Sequence, residues 1–173
     1  MGSLFSYFNG SLQDFLTHII ETKDNSLVKV RLASVSPDLL AVLSSAGVDG
    51  TFYHVLDNFA VNHIITKHTN EKEILRGQVI LQESDFLLIP YIVSNHDSIQ
   101  IENVKNKTII SYSKACYDSV YCYIEEIRKG RHELAGVTFY KRKKKLTDAE
   151  SPSDSADSGF ASFSKKKLTG AKS

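Results

Sequence analysis

The feature that most narrowly limits the fold is a series of four segments in the C-terminal half in which apolar and polar residues alternate. The segments cover about residues 98 to 104, 107 to 113, 118 to 128 and 132 to 141. Alternation with a period of two is typical of strands that are buried on one face. Turn signals at Asn106 and at Lys129-Gly130 separate neighbouring segments, and tight turns join antiparallel strands. These residues are therefore predicted to form an antiparallel meander of four strands.

The N-terminal half is predicted to be mainly helical. In chain order we expect a peripheral helix from Leu12 to about 23–25, a strand over 27 to 35, and a helix from Ser36 to Ser45 closed by Gly47. An extended piece over 52 to 56 should then lead into a helix that is capped by Asp57 and ends near His68. A loop and short strand over 69 to 80 and a helix over 83 to 93 are expected to follow. The predicted fold class is α+β, with N-terminal helices packed on a C-terminal four-stranded antiparallel sheet.

The length and composition indicate one main domain. A chain of 173 residues with 42% hydrophobic residues can build one ordinary core. We expect this domain over residues 27 to 145, after a helix or extension over residues 1 to 26. From residue 146 onward the chain is rich in Ser, Asp and Lys without hydrophobic periodicity, so residues 146 to 173 are predicted to be disordered.

Charge, cysteines and hydropathy exclude several classes of protein. The formal net charge is +1, so contact with nucleic acid would depend on a local cluster of cations. Cys116 and Cys122 match neither a zinc pattern nor a disulfide framework, which favours a reducing compartment. No apolar run reaches the length of a membrane span, and the N-terminus lacks the signal-peptide pattern. We expect a protein with no membrane partner, located in the cytoplasm or delivered into a target cell.

The last two predicted strands differ strongly between their faces. If Lys129-Gly130 forms a two-residue turn, Cys122 faces Val137 on an apolar surface and Tyr121 faces Thr138 on a polar surface. The polar surface then carries Tyr121, Tyr123, Glu125, Thr138 and Tyr140. Such side chains can stack on bases and transfer protons, although a solvated sheet face would also be polar. A shift of the register by one residue would exchange the two faces.

Two histidines belong to the helix predicted after Asp57. His68 shares an apolar stripe with Val61 and Ile64, whereas His63 lies on the other side. A zinc pair is a poor explanation, because positions five apart point about 140° away from each other. The ordinary alternatives are a core-edge histidine bonded to a carbonyl for His68 and a surface imidazole for His63. We expect no metal and no cofactor.

These groups suit cleavage of RNA by its own 2'-hydroxyl. One group must remove the 2' proton, another must protonate the leaving 5' oxygen, and donors must stabilise the charged phosphate. The candidate catalytic residues are His63, His68, Glu125 and Thr138. The candidate substrate-binding residues are Lys67, Arg76, Lys114, Tyr123, Arg128 and Tyr140. A Gly-rich phosphate loop and a Gly-x-Ser-x-Gly elbow are both absent from the sequence.

Over about residues 28 to 142, the order of motifs resembles the phage-associated branch of the Barnase-EndoU-colicin-RelE-like (BECR) nucleases. The motifs are His63 to His68, Glu73 to Gln78, Asp85 to Pro90 with Val93 to Asn95, Tyr123 to Arg128 and Thr138 to Lys141. The resemblance implies an α+β domain whose helices precede a four-stranded antiparallel sheet. It also implies site residues on the helix and on the last strands, namely His63, His68, Glu125, Arg128, Thr138 and Tyr140.

We therefore expect a metal-independent endoribonuclease that acts on tRNA or other cellular RNA as a toxin or conflict effector, with a cognate antitoxin or immunity protein as its partner. The alternative is a catalytically silent RNA- or protein-binding accessory domain of a phage or mobile element. A third hypothesis is an injected effector that acts on a host protein. A histidine within hydrogen-bond reach of Glu125 or Thr138 would favour the enzyme.

Overall fold

The computed structural model describes residues 4–23 and 25–145, which form an α+β fold around one eight-stranded sheet. The strands are β1 (Ser6–Tyr7), β2 (Val28–Ser34), β3 (Tyr53–Asp57), β4 (Gln78–Val79), β5 (Ser98–Val104), β6 (Lys107–Cys116), β7 (Ser119–Arg128) and β8 (Glu133–Lys143). The helices are α1 (Leu12–Thr22), α2 (Pro37–Ser45), α3 (Asn58–His68), α4 (Lys72–Leu75) and α5 (Ile89–Ser94), with 3₁₀ turns at Glu83–Leu88 and Lys129–Arg131. The predicted tail, residues 146 to 173, lies outside the described residues.

Local capping signals explain where the longer helices begin. The Ser36 hydroxyl accepts a hydrogen bond from the backbone of Leu39, and Pro37 occupies the first turn of α2. The Asp57 carboxylate accepts from the Ala60 backbone and caps α3. Within the described part of the chain, none of the helices has the length and apolar character needed to cross a membrane.

Helix α1 was predicted to be peripheral, but it contributes to the main core. A capping box between Ser11 and Asp14 starts the helix, and its hydrogen bonds lower the pKa of Asp14. Phe15 and Ile19 of α1 have no exposed surface, and both belong to the same core cluster as the residues of α3 and β8. The helix is therefore part of the packed fold.

The sheet is larger than the predicted meander. Its strand order is β1-β2-β3-β8-β7-β6-β5, with β4 also paired to β8. The antiparallel meander β5 to β8 is present, and the α+β class is confirmed. The prediction of a four-stranded antiparallel sheet is incomplete, because β3 adds parallel to β8 and carries β2 and β1 with it. The fully buried Val55 and Leu56 show why β3 belongs to the sheet interior.

The predicted register between β7 and β8 is wrong. Tyr123 pairs with Phe139 instead of Gly136, and Thr138 pairs with Ile124 instead of Tyr121. The reason is the connection, in which a 3₁₀ turn is followed by His132 in a left-handed conformation with φ of 53°, so four residues separate the strands instead of two.

A bulge next to Ile124 adds a further shift, because Glu125 pairs with Gly136 and leaves Val137 as an extra residue on β8. Tyr123 and Phe139 are consequently buried together in the core. Thr138 and Tyr140, which alternate with Phe139, point to the other face.

One edge of β8 has a gap in its pairing that positions the site. Strand β3 pairs with residues 133–135 of β8, and β4 pairs with residues 141–142. Since β7 occupies the opposite edge along nearly the whole strand, β3 and β4 lie on the same edge and leave residues 136–140 between them. Helix α3 follows β3 directly and packs on β8. Its last residue, His68, therefore reaches the gap.

Candidate active site at the end of helix α3

His68 lies between a carboxylate and a hydroxyl group. Its Nδ1 is 2.7 Å from Oε2 of Glu73, and its Nε2 is 3.0 Å from Oγ1 of Thr138. The side chain of Glu73 is fully buried, whereas 13% of the His68 side chain is exposed. Because a carboxylate only accepts, Nδ1 carries a proton and donates a hydrogen bond to Glu73. In the neutral form of the imidazole, Nε2 is then the nitrogen that accepts from the Thr138 hydroxyl.

The chain between His68 and Glu73 turns sharply and brings the two side chains together. The Asn70 side-chain amide donates to the Thr66 carbonyl at 2.8 Å, and its oxygen accepts from the Lys72 backbone at 3.0 Å. The side chain of Asn70 thus bonds both to the last turn of α3 and to the first residue of α4. In an uninterrupted helix, residues five apart would point in different directions, so this break is what lets Glu73 return to His68.

Arg76 and Tyr140 complete the cluster. A guanidinium nitrogen of Arg76 donates to Oε1 of Glu73 at 3.0 Å, while 57% of the Arg76 side chain is exposed. The ring of Tyr140 lies 5.8 Å from the imidazole of His68, centre to centre. Burial raises the pKa of Tyr140, and the neighbouring Cys122 thiol adds to the shift. The phenol therefore keeps its proton at neutral pH and can act as a donor.

The arrangement is suited to proton transfer. Glu73 fixes the tautomer of His68 and can stabilise the imidazolium ion that forms when Nε2 takes up a proton. Arg76 keeps a cation at the rim that can contact an anionic group of a ligand. The Thr138 hydroxyl marks the position that a ligand hydroxyl would occupy to reach Nε2.

Four of the residues predicted for the site come together here: His68, Arg76, Thr138 and Tyr140. Glu73, which links His68 to Arg76, was not among the predicted site residues. A signal for it exists in the sequence, because Asn70 is a residue that readily ends one helix and starts another. The segment Glu73 to Gln78 is one of the motifs that carry the family resemblance, but no pattern in the sequence indicates that its glutamate is buried.

Glu125 and Tyr123 do not reach this cluster. Glu125 is fully buried, and its two carboxylate oxygens lie 2.9 and 3.0 Å from Nδ1 of His54. The Tyr112 hydroxyl donates to the same carboxylate at 2.9 Å. The expected convergence of Glu125 with the helix histidines is therefore absent, because the corrected register turns Glu125 into the core on the face opposite Thr138. Burial, together with the charge of Glu125, raises the pKa of both Tyr112 and Tyr123.

The remaining predicted residues lie away from His68 or face solvent. His63 and Lys67 are exposed on α3. Lys114 on β6 forms an ion pair with Asp97 at 2.7 Å, which raises the pKa of Lys114. Arg128 approaches Asp57 at 3.5 Å at the other end of β8. Lys114 and Arg128 thus pair with carboxylates that are not part of the His68 cluster.

Histidine, cysteine, aspartate and glutamate side chains of residues 4–23 and 25–145 do not form a group of three or more that could hold a metal ion. Comparison with curated proteins and with solved structures gave no match.

A family model does match the chain over residues 35–149, which is more than half of its length. The matched range contains His68, Glu73, Arg76, Thr138 and Tyr140, whereas β1, α1 and β2 precede it. The chain belongs to the family described as phage-Barnase-EndoU-ColicinE5/D-RelE like nuclease3.

Proposed function

We propose that the protein is a metal-independent endoribonuclease that cleaves tRNA or other cellular RNA, with its active site at His68. The observation that carries the proposal is the position of His68 between the buried Glu73 carboxylate and the Thr138 hydroxyl. A histidine held in this way has Nδ1 fixed as a donor and Nε2 placed beside a hydroxyl, where it can act as a base once a substrate hydroxyl replaces that of Thr138. This is the arrangement that general base catalysis requires.

In the proposed reaction, the 2'-hydroxyl of the substrate takes the place of the Thr138 hydroxyl at Nε2 of His68. Nε2 removes the 2' proton, and the 2' oxygen attacks the adjacent phosphorus. The bond from phosphorus to the 5' oxygen then breaks and leaves a cyclic phosphate. Glu73 stabilises the positive charge that develops on the imidazole, so its role is to position and support His68.

Arg76 and Tyr140 have separate roles in this scheme. The exposed guanidinium of Arg76 contacts a phosphate oxygen and stabilises the charge that develops there, while the Thr138 hydroxyl donates to a second oxygen. Tyr140, whose pKa is raised, donates its proton towards the leaving 5' oxygen. DNA lacks the 2'-hydroxyl and would not be cleaved.

One observation favours the second candidate, a catalytically silent domain that binds RNA or protein as an accessory of a phage or mobile element. Only 13% of the His68 side chain is exposed, and both of its nitrogens already have partners. A silent domain would bind RNA without cleaving it. The leading proposal also includes a role as a toxin or conflict effector. It places the protein in the cytoplasm or in a target cell into which it is delivered, and it includes a cognate antitoxin or immunity protein as the partner.

The test is an RNA cleavage assay with the purified full chain in EDTA, with DNA as the second substrate. We expect RNA cleavage in EDTA and intact DNA. His68→Ala and Glu73→Gln should each lower kcat about a hundredfold or more with a small effect on KM. Glu71→Gln, which neutralises an exposed carboxylate two residues earlier, is the matched control and should retain full activity.

Two results would contradict the proposal. Activity that EDTA abolishes would replace the proton-transfer mechanism with metal catalysis. RNA binding without cleavage by the wild-type protein would favour the accessory domain. His63→Ala separates the two helix histidines, because an equally large loss there would move the second proton transfer from Tyr140 to His63.

A further inference from the structure

A corner of the molecule at the start of α3 combines exposed arginines with aromatic rings. The guanidinium carbon of Arg31 lies 3.8 Å from the centre of the Tyr53 ring and 5.3 Å from that of Tyr7. The guanidinium carbon of Arg131 lies 6.0 Å from the centre of the Phe5 ring. The Phe5 ring meets Phe59 of α3 edge to face at 6.2 Å. We name this group the aromatic corner, and its members are Phe5, Tyr7, Arg31, Tyr53, Phe59 and Arg131.

Two arginines supply the positive charge of the aromatic corner. Both are exposed, and within residues 4–23 and 25–145 neither forms an ion pair with a carboxylate. A third cation, Lys29, lies beneath them, but it is fully buried and paired with Glu133. The Tyr7 hydroxyl also donates to Glu133, at 3.0 Å. Both contacts are made by Oε1 of Glu133, and its other carboxylate oxygen, Oε2, is buried without a hydrogen-bond partner among the described residues. The exposed guanidinium groups of Arg31 and Arg131 are available to an anion from outside.

The chemistry of the corner favours nucleic acid. A guanidinium that lies against an aromatic ring keeps its N–H edge, and this edge matches the two oxygens of a phosphate. Tyr7 and Phe59 are 48% and 49% exposed, so their rings can stack on bases. Cations that bind phosphates, together with aromatic rings that stack on bases, are typical of sites for single-stranded nucleic acid.

The corner and the candidate active site lie along the same helix. Phe59 is in the first turn of α3, and His68 is its last residue. At 1.5 Å per residue, this separation is about 14 Å along the helix axis. The nine positions also turn the helix by about 180°, so Phe59 and His68 point to opposite sides of α3, and an extended RNA strand must pass round the helix to reach both. Phe5, Tyr7 and Arg31 precede residue 35, so half of the corner is an addition to the domain that the family model matches.

We propose that the aromatic corner binds the phosphates and bases of the same single-stranded RNA whose scissile bond lies at His68. This inference rests on the proposed ribonuclease function for the identity of the ligand, and it adds a second contact remote from the reacting atoms. Arg31 and Arg131 bind phosphates, and the half-exposed rings of Tyr7 and Phe59 stack on bases. The corner would thus raise the affinity for longer RNA over that for a dinucleotide.

The test measures binding in a protein that does not consume its ligand. Fluorescence anisotropy with a labelled single-stranded RNA and the full-length His68→Ala protein gives the affinity at several salt concentrations. Adding Arg31→Gln and Arg131→Gln should weaken binding about tenfold or more. The slope of log affinity against log salt should become shallower by about 0.7 for each phosphate that the protein no longer neutralises.

A matched control removes the same charge elsewhere. Lys23→Gln with Lys105→Gln, added to the His68→Ala protein, removes two cations from exposed turns outside the corner and should leave affinity nearly unchanged. Arg31→Lys with Arg131→Lys keeps the charge but loses the planar group, so it should weaken binding by an intermediate amount. Circular dichroism of each variant checks that the fold is intact.

The outcomes separate this inference from the proposed function. If the arginine variant and the Lys23→Gln, Lys105→Gln control lose RNA affinity equally, the effect is one of general electrostatics and the inference is overturned. Unchanged RNA affinity in the Arg31→Gln, Arg131→Gln variant would also overturn it. Binding to phosphatidylserine vesicles but not to RNA would assign the corner to a membrane surface and also overturn it. If the wild type cleaves no RNA while the arginine pair selectively loses RNA affinity, the corner stands and the nuclease proposal fails.

Discussion

Replacing Glu125 by alanine should destabilise the fold strongly and leave the chemistry of the folded protein nearly unchanged. Glu125 is fully buried and accepts hydrogen bonds from Nδ1 of His54 and from the Tyr112 hydroxyl. Both partners are buried as well, with 1% of each exposed. Alanine would leave His54 and Tyr112 without this acceptor, and water could not replace it without opening the core.

The expected size of the effect follows from these contacts. Leaving a buried donor without its acceptor costs about 1–3 kcal/mol, and here two donors lose their acceptor. Removing one partner of a buried pair typically costs about 3–5 kcal/mol in total, which agrees with the sum over the two donors. For a chain of this length, such a loss corresponds to a decrease in Tm of roughly 6–20 °C.

The assay is urea unfolding followed by circular dichroism, together with RNA cleavage at a temperature where the variant is folded. Glu126→Ala is the matched control, because Glu126 is the next residue on β7 and pairs with the exposed Lys107 at 3.0 Å. A surface pair of this kind contributes at most about 1 kcal/mol. A Glu125→Ala protein that is as stable as the control would refute the reasoning about burial. A Glu125→Ala protein that is stable and folded but inactive would instead support a catalytic role for Glu125.

Two further predictions concern the same core. Gly136→Ala should destabilise the protein by about 1–3 kcal/mol in urea unfolding, because a Cβ there would overlap the Tyr123 hydroxyl and lie 2.8 Å from Cδ1 of Leu56. The pKa values of Tyr112, Tyr121 and Tyr123 lie above their ordinary value of 10.0, so the folded protein holds these protons at a pH where the unfolded chain releases them. Their contribution to stability is therefore complete below pH 10.0 and decreases as the pH rises above it, which unfolding curves at increasing alkaline pH would detect; an unchanged midpoint would contradict this.

The parts of the fold that depend on short segments are predictable from the sequence. Ser36 and Asp57 start helices by accepting hydrogen bonds from the backbone three positions later, and Pro37 occupies the first turn of α2. The structure has those helices where the pattern places them. The alternating segments of the meander are also correct, because each strand needs only its own period of two.

Contacts between distant segments were not predictable in the same way. The pairing of β3 with β8 joins residues about eighty positions apart, and the sequence of a five-residue strand does not identify its partner. The register of β7 with β8 depends on the left-handed backbone of His132, a conformation that non-glycine residues adopt infrequently. The longer turn shifts the pairing by two positions, which leaves each side chain on its predicted face. The bulge at Val137 adds the single-residue shift that places Glu125 and Thr138 on opposite faces, and this bulge is the source of the error at the candidate site.

Site residues whose burial follows from their own segment could be predicted from the sequence, and those whose burial depends on distant contacts could not. His68 follows from the apolar stripe of α3, since the last position of that stripe lies at the boundary of the core. Glu73 was missed, because a glutamate in a polar segment is usually exposed and only the structure reveals that His68 and Arg76 enclose it.

Strand β8 pairs with β3, β4 and β7, and it is the last of the eight described strands along the chain. During synthesis on the ribosome, the earlier strands emerge before the segment that joins them into one sheet. Thr138 and Tyr140 belong to this late segment, so His68 lacks both neighbours until almost all of the described chain has left the exit tunnel. Assembly of the reactive cluster is thereby coupled to completion of the sheet.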